Sequence, residues 1–308
     1  MPDAIKDDLR KAERLEWWTL FWLTSVCIVM AAAMGSSQAM RTALIEDVLS
    51  LLPAIVFLIA ARWERKDPDH KFPFGYFRAN SLAFLIAATA LVSVGGFLLV
   101  HSGLSLIRAE HPTIAPIHLF GQDIWLGWPM IAALIYSVAP PVILGHLKLP
   151  VAKRINDKVL HTDALMQKAD WTTGLAGVAG VLGIAFGLWW ADAAAAVFIS
   201  FEILRDGVRQ LVIAAAELID GVPRKLDSND MADDAAALER ALVGHFPGAT
   251  IRLRETGRYI IAHVEGHPGP EPLQPLADYW PGDRAGAWRL AALSFEPKGS
   301  GTEPPTNG

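Results

Sequence analysis

The sequence predicts an all-α polytopic membrane bundle of six transmembrane helices, followed by a small α+β domain. Of its 308 residues, 52% are hydrophobic and only 19% are charged, whereas soluble domains carry about a quarter charged residues. Long uncharged runs fill residues 16–214, and residues 217–308 are polar. The predicted divisions are an N-terminal segment at 1–15, the six-helix domain at 16–214, a linker at 215–229, the α+β domain at 230–297 and a disordered tail at 298–308.

Six apolar runs each have a length close to the ~20 residues that a helix needs to cross a hydrocarbon core of about 30 Å. The predicted spans are 16–35, 43–62, 80–107, 124–147, 160–188 and 191–213. No cleavage-site pattern follows the first run, so the N-terminal segment is expected to stay on the chain. Pro140 and Pro141 predict a bend or a polar notch in the fourth span. Five glycines predict close helix packing of the fifth: Gly174, Gly177, Gly180, Gly183 and Gly187.

Basic residues in the connecting segments predict the orientation. One side carries Lys6, Arg10, Lys11, Arg14, Arg62, Arg65, Lys66, Lys71, Arg78, Lys148, Lys153, Arg154 and Lys158, while the other offers Arg41 and Arg108. Because basic loops stay in the cytoplasm, both termini are expected there. The net charge of −5 makes nucleic acid an unexpected partner. Cys27 stands alone, so it can form neither an internal disulfide nor a thiolate cluster.

The polar C-terminal region alternates between helical and strand patterns. A helix is predicted around 231–245, and strands at Thr250–Arg254, Tyr259–Glu265 and Trp288–Phe295, with a turn at 255–257. This order is typical of a small α+β domain.

Ionisable and metal-binding side chains fall inside two of the spans, where each charge costs at least a few kcal/mol. They are Glu46, Asp47 and Ser50 in the second span and Asp163, Met166 and Asp170 in the fifth. Helical spacing puts Glu46 and Ser50 on one face, and the three residues of the fifth span on another. Convergent carboxylates in a dry site bind a cation or exchange protons for one.

Each group also has a structural interpretation. Glu46 and Asp47 could reach interfacial water, and Asp163 could cap its helix near the cytoplasmic face. Asp170 lies deeper in its span and has no capping position, which favours a functional role. Lys168 lies off that face and is expected to snorkel or to pair structurally.

Four stretches resemble the cation diffusion facilitator family of metal/proton antiporters, over residues from about 16 to 265. They are DPDHKFPFGYFRANSLAFL (67–85), TDALMQKAD (162–170), WADAAAAVFISFEILRDG (190–207) and AAELIDGVP (215–223). The resemblance implies six spans with cytoplasmic ends, and a ferredoxin-like cytoplasmic domain that pairs across a homodimer. It places a possible regulatory zinc ligand at His263. His245 and His267 flank it without ligand-like spacing, which favours a half-exposed strand histidine.

The resemblance also implies where the transported metal sits: between Glu46 and Ser50 of the second span, and Met166 and Asp170 of the fifth. Zinc-carrying members typically have aspartates in the second span and a histidine with an aspartate in the fifth, so this chain departs at three of four positions. Oxygen ligands favour manganese, iron(II) or magnesium, whereas Met166 favours a softer ion. Asp47 is a substitute ligand if the helix is rotated, and Asp163 is a further candidate.

The expected function is divalent metal efflux in exchange for protons, by a homodimer in the plasma membrane, with a bacterial inner membrane favoured. No resident cofactor is expected, and no enzyme motif such as HExxH or a phosphate-binding loop is present. The alternative is a non-transporting partner or regulatory subunit whose metal site has decayed. Glu46 and Asp170 argue against decay, because an unused intramembrane carboxylate has a cost.

Overall fold

The computed structural model describes residues 1–33, 44, 47–108, 116–119, 122–125, 127–185, 190–270, 272 and 274–297. Long helices make up the N-terminal two thirds of the described chain. They are α1 (Asp3–Ala33), α2 (Leu52–Glu64), α3 (Arg78–Ile107), α4 (Gly127–Ile155), α5 (Lys158–Ala185) and α6 (Ala191–Leu218).

Two stretches of helix in the described ranges are long and apolar enough to cross a membrane. They are Arg78–Ile107, with a mean hydropathy of 2.4, and Ile135–Ile155, with a mean hydropathy of 1.2. These correspond to α3 and most of α4. The six-span count stays a prediction.

The first helix begins well before the predicted span. α1 starts at Asp3, and its N-terminal half buries Leu9 and Ala12 in a cluster with Val151 and Ile155 of α4. Burial of this apolar stripe explains why the charged segment is helical.

The helix of the second predicted span is interrupted. Residues 47–49 are helical, Ser50 and Leu51 form a turn, and α2 begins at Leu52. Pro53 accounts for the restart, because proline lacks a backbone donor and its fixed φ suits the first helical turn. The structure therefore corrects the expectation of a continuous helix over 43–62.

Glycines bring neighbouring helices close together. A Cβ at Gly207 of α6 would lie 2.9 Å from the backbone nitrogen of Val92 in α3, and a Cβ at Gly95 would lie 2.6 Å from that of Leu204. A Cβ at Gly174 would lie 2.4 Å from Val138 Cγ2 of α4, which confirms the close packing predicted for this glycine. α4 remains one helix through Pro140 and Pro141.

A short antiparallel hairpin that the sequence analysis did not predict lies between α3 and α4. It consists of β1 (Pro116–Leu119) and β2 (Gln122–Trp125).

The C-terminal α+β domain is present as predicted. It contains α7 (Asp233–His245) and a sheet of β3 (Thr250–Thr256), β4 (Tyr259–Glu265) and β5 (Leu290–Glu296), in that order. β3 and β4 are antiparallel, and β4 and β5 are parallel. Two short 3-10 helices, Leu276–Tyr279 and Arg284–Arg289, connect β4 to β5.

The hairpin between β3 and β4 turns later than predicted. β3 extends through Thr256, which pairs with Tyr259, so the turn is at 257–258 rather than 255–257. Gly257 has a φ of +59°, and a Cβ there would lie 2.7 Å from the Phe77 carbonyl oxygen of α3's N-cap. The tip of the hairpin therefore touches the helical bundle.

Candidate metal site

A hydrogen bond joins the second-span segment to α5. Ser50 Oγ donates to Asp170 Oδ1 at 2.7 Å, where Ser50 is buried and Asp170 half-buried. The interruption of the helix at Ser50 and Leu51 places this hydroxyl at the bundle interior. Two of the four predicted positions, from two helices, are therefore in direct contact.

Met166 lies one turn from Asp170 on α5, towards the N-terminal end of that helix. It is fully buried, in an apolar cluster with Leu91 and Val94 of α3 and Ile203 of α6. Its thioether thus lies beside the carboxylate face but is packed among hydrocarbon.

The second-span segment carries two further predicted carboxylates. Asp47 is half-buried on the helical turn 47–49. Glu46, the remaining predicted position, lies outside the described residues.

Asp163 occupies a different environment. Its carboxylate forms an ion pair with Lys148 of α4, whose Nζ also donates to Glu16 Oε2 of α1 at 2.8 Å. All three side chains are fully buried. We call Glu16, Lys148 and Asp163 the lysine triad, and it ties α1, α4 and α5 together.

The described side chains alone do not form a complete metal-binding site. Among the residues that the structure describes, no three His, Cys, Asp or Glu side chains are close enough to hold a metal ion. The predicted positions in the described part are Asp170, Ser50, Met166 and Asp47, and a full coordination shell would need ligands beyond the joined pair Ser50 and Asp170.

Packed side chains cover the site on the side of the N-terminal end of α5. Ser50 and Met166 are fully buried, and so is nearly every residue from Asp157 to Ala164. Asp170 and the residues up to Thr173 are half-buried. The site is therefore covered more completely towards the N-terminal end of α5 than around Asp170.

A second buried lysine joins the bundle to the C-terminal domain. Lys158 Nζ, at the start of α5, donates to Glu217 Oε2 of α6 at 3.1 Å and forms an ion pair with Glu255 of β3. Burial raises the pKa of Glu255, and Lys158 opposes that shift.

A family model described as the cation efflux transmembrane domain matches residues 19–219. This chain belongs to the cation diffusion facilitator family. It is thus a membrane protein from a family of cation transporters, which confirms the resemblance.

Curated relatives are 23–25% identical to this cation diffusion facilitator over the aligned segments. The manganese efflux system protein MneS of Bacillus subtilis is 23% identical over 217 residues, 70% of this chain and 71% of the relative. The magnetosome protein MamM of Paramagnetospirillum magneticum is 25% identical over 222 residues, 71% and 66% of the two chains. The cadmium, cobalt and zinc/H(+)-K(+) antiporter of Bacillus velezensis is 25% identical over 189 residues, 61% and 55%.

The sequence analysis of this cation diffusion facilitator missed charges in the sixth span. Glu202 and Asp206 of α6 line a groove of about 210 Å³ together with Lys168 and apolar residues such as Leu165 and Phe198. Counting charges in the predicted span 191–213 would have found both carboxylates, because Glu202 is at its centre.

His263 in the C-terminal domain has nearby partners from its own sheet. Its ring nitrogens lie 2.8 Å from Ser294 Oγ and 3.1 Å from Glu296 Oε2 of β5. His245 Nδ1 instead donates to the Ala241 carbonyl oxygen of α7 at 3.0 Å. A regulatory metal at His263 stays a prediction.

Proposed function

We propose that this protein exports a divalent metal cation from the cytoplasm and exchanges it for protons by alternating access. The observation that carries the proposal is the hydrogen bond between Ser50 and Asp170 in the domain that defines the family. It joins an anionic oxygen and a neutral oxygen from two helices at the position where the family resemblance implies the metal.

Asp170 is the principal ligand in this proposal, with Glu46 as its counterpart from the second span. Ser50 supplies a neutral oxygen, and Asp47 and Met166 border the ion. A carboxylate binds either a proton or a metal, because metal ligands must be deprotonated. Competition between the two at Asp170 and Glu46 would couple metal export to proton import.

Asp163 is assigned a structural role. Its carboxylate already binds the Lys148 ammonium, and a metal there would have to displace a fully buried cation. In the lysine triad it holds α5 against α1 and α4.

Manganese is the substrate that the donor set favours. The candidate ligands are oxygens with one thioether and no imidazole, and carboxylate and hydroxyl oxygens suit Mn²⁺ better than Zn²⁺. The name of MneS as a manganese efflux protein agrees with this preference. We further propose a homodimer in a bacterial inner membrane. Both termini lie in the cytoplasm in this proposal, which the distribution of basic residues supports.

The test is uptake of Mn²⁺, Fe²⁺, Co²⁺, Ni²⁺, Zn²⁺ and Cd²⁺ into proteoliposomes under an imposed pH gradient. We expect saturable Mn²⁺ flux that is lost in Asp170→Asn and retained in Glu202→Gln, which removes a carboxylate outside the site. Flux of Asp170→Asn at the wild-type rate would contradict the assignment. No flux of any ion from folded wild-type protein would favour the non-transporting partner subunit.

A further inference from the structure

The tip of the β3–β4 hairpin carries a deeply buried arginine. Arg258 is fully buried, although a charged residue at the turn of a hairpin is ordinarily exposed to water. The side chains that its guanidinium binds belong to the helical bundle and not to its own sheet. We call residues 257–258 the hairpin tip.

The Arg258 guanidinium binds carboxylates from two different helices. It forms an ion pair with Glu64 at the end of α2, and its Nε donates to Asp157 Oδ2 at 2.6 Å. Asp157 also accepts the Leu160 backbone N–H at 2.8 Å and so caps α5. One side chain thus joins the C-terminal end of α2 to the N-terminal end of α5.

These are the helices that lead to the candidate metal site. Asp157 and Asp170 are separated by about 20 Å along α5, at about 1.5 Å per residue. Glu64 and Ser50 are separated by a similar length along the second-span segment. A change in the spacing of the two helix ends would therefore separate or close the packing of α2 and α5 beneath the site.

The backbone of the hairpin tip attaches to the other two neighbouring helices. The Gly257 N–H donates to Ser81 Oγ of α3 at 2.9 Å and to Glu217 Oε1 of α6 at 3.1 Å. The hairpin tip is consequently seated among four helix ends, in a structure whose site is covered towards the N-terminal end of α5.

We propose that Arg258 is the latch of a cytoplasmic gate, holding α2 and α5 together in the closed state and releasing them when the site opens inward. Separation of the two helices requires Arg258 to leave Glu64 or Asp157, and a buried carboxylate that loses its cation is strongly unfavourable. The latch thereby sets how often the gate opens. Arg258 is a positioning residue in this scheme, which rests on the proposed transport function.

The first test measures opening without metal flux. Ala61 of α2 is buried in the same apolar cluster as Leu160 of α5, so Ala61→Cys in a Cys27→Ala background reports access from the cytoplasm to an impermeant maleimide. We expect labelling at least tenfold faster in Arg258→Met and an intermediate rate in Arg258→Lys. Arg252→Met, which removes an exposed arginine of the same hairpin, should leave the rate unchanged. An unchanged rate in folded Arg258→Met would overturn the latch.

A second test fixes the hairpin tip against α3, so that Arg258 is held between Glu64 and Asp157, and it does not depend on the stability of an Arg258 variant. The rings of Phe77 and Tyr259 lie 4.6 Å apart between their centroids, so Phe77→Cys and Tyr259→Cys can be bridged by a short, reducible thiol cross-linker. Bridging should lower metal flux at least tenfold and slow amide hydrogen exchange at the end of α2 at least fivefold, both restored by reductant. Wild-type flux in the bridged protein would refute the gate. If even the wild type carries no flux, the labelling and exchange rates still decide on the latch.

Discussion

Removal of Lys148 should destabilise the protein more than removal of either of its acidic partners. The lysine triad places two carboxylates and one ammonium in fully buried positions, with Nζ of Lys148 at 2.8 Å from Glu16 and in an ion pair with Asp163. Lys148→Met leaves two anions facing each other without a cation. Asp163→Asn instead leaves one anion paired with one cation.

The expected losses of stability follow from the number of unpaired buried charges that each variant leaves. Loss of one partner from a buried ion pair costs about 3–5 kcal/mol, so Lys148→Met should lie at or above that range. Asp163→Asn loses one hydrogen bond to a charged group, about 1.5–3 kcal/mol. The triple variant Glu16→Gln, Lys148→Met, Asp163→Asn has no buried charge left and should recover most of the loss, as neutral replacements of buried ion groups do.

Thermal unfolding in detergent, followed by tryptophan fluorescence and by gel filtration after heating, measures the order of stabilities. At a few degrees per kcal/mol for a chain of this size, Lys148→Met should unfold about 10 °C below the wild type, with Asp163→Asn between the two. If Asp163→Asn is less stable than Lys148→Met, unpaired buried charge does not determine the loss of stability. A triple variant that is less stable than Lys148→Met alone would refute the reasoning in the same way.

Three further outcomes are expected. Ser50→Ala removes the neutral oxygen beside Asp170 and should raise the KM for metal about threefold to tenfold, measured as flux against concentration; an unchanged KM would remove Ser50 from the site. Gly207→Val forces a side chain against the Val92 backbone and should lower stability by about 1–3 kcal/mol in the same unfolding assay. Asp69 has its pKa held below the ordinary value of 3.8 by hydrogen bonds from a tyrosine hydroxyl and two backbone N–H groups, so these bonds are intact above pH 3.8 and are lost as the pH falls below it. The protection factors of the amides in residues 67–76, which are exchange rates corrected for the intrinsic effect of pH, should therefore fall as the pH drops below 3.8, and unchanged protection would contradict the assignment.

The sequence predicted the parts of this protein that depend on composition and local spacing. Apolar run length located the helices, and strand alternation located β3 and β4. The interruption at Ser50 could also have been predicted from the sequence, because Pro53 favours a helix start at this point. The extension of α1 back to Asp3 was missed because its apolar stripe is short and separated by charges.

The environments of Asp163 and Arg258 could not be predicted in this way. Both depend on partners that are far apart in the sequence: Lys148 and Glu16 for the first, Glu64 and Asp157 for the second. A carboxylate at the start of a span has the same local pattern whether it binds a metal or a lysine. A hairpin arginine has the same local pattern whether it faces water or the interior, since only packing of the two domains decides.

The buried cations around the N-terminal half of α5 share one feature. Lys148, Lys158 and Arg258 each contact two carboxylates. These three cations and their six carboxylates together hold more negative than positive charge, and most of that charge is buried. Separation of α2 from α5 would bring carboxylates to the opening, where a negative potential raises the local concentration of divalent cations. The same ion pairs that hold the gate closed would then draw the metal towards Asp170 once the gate opens.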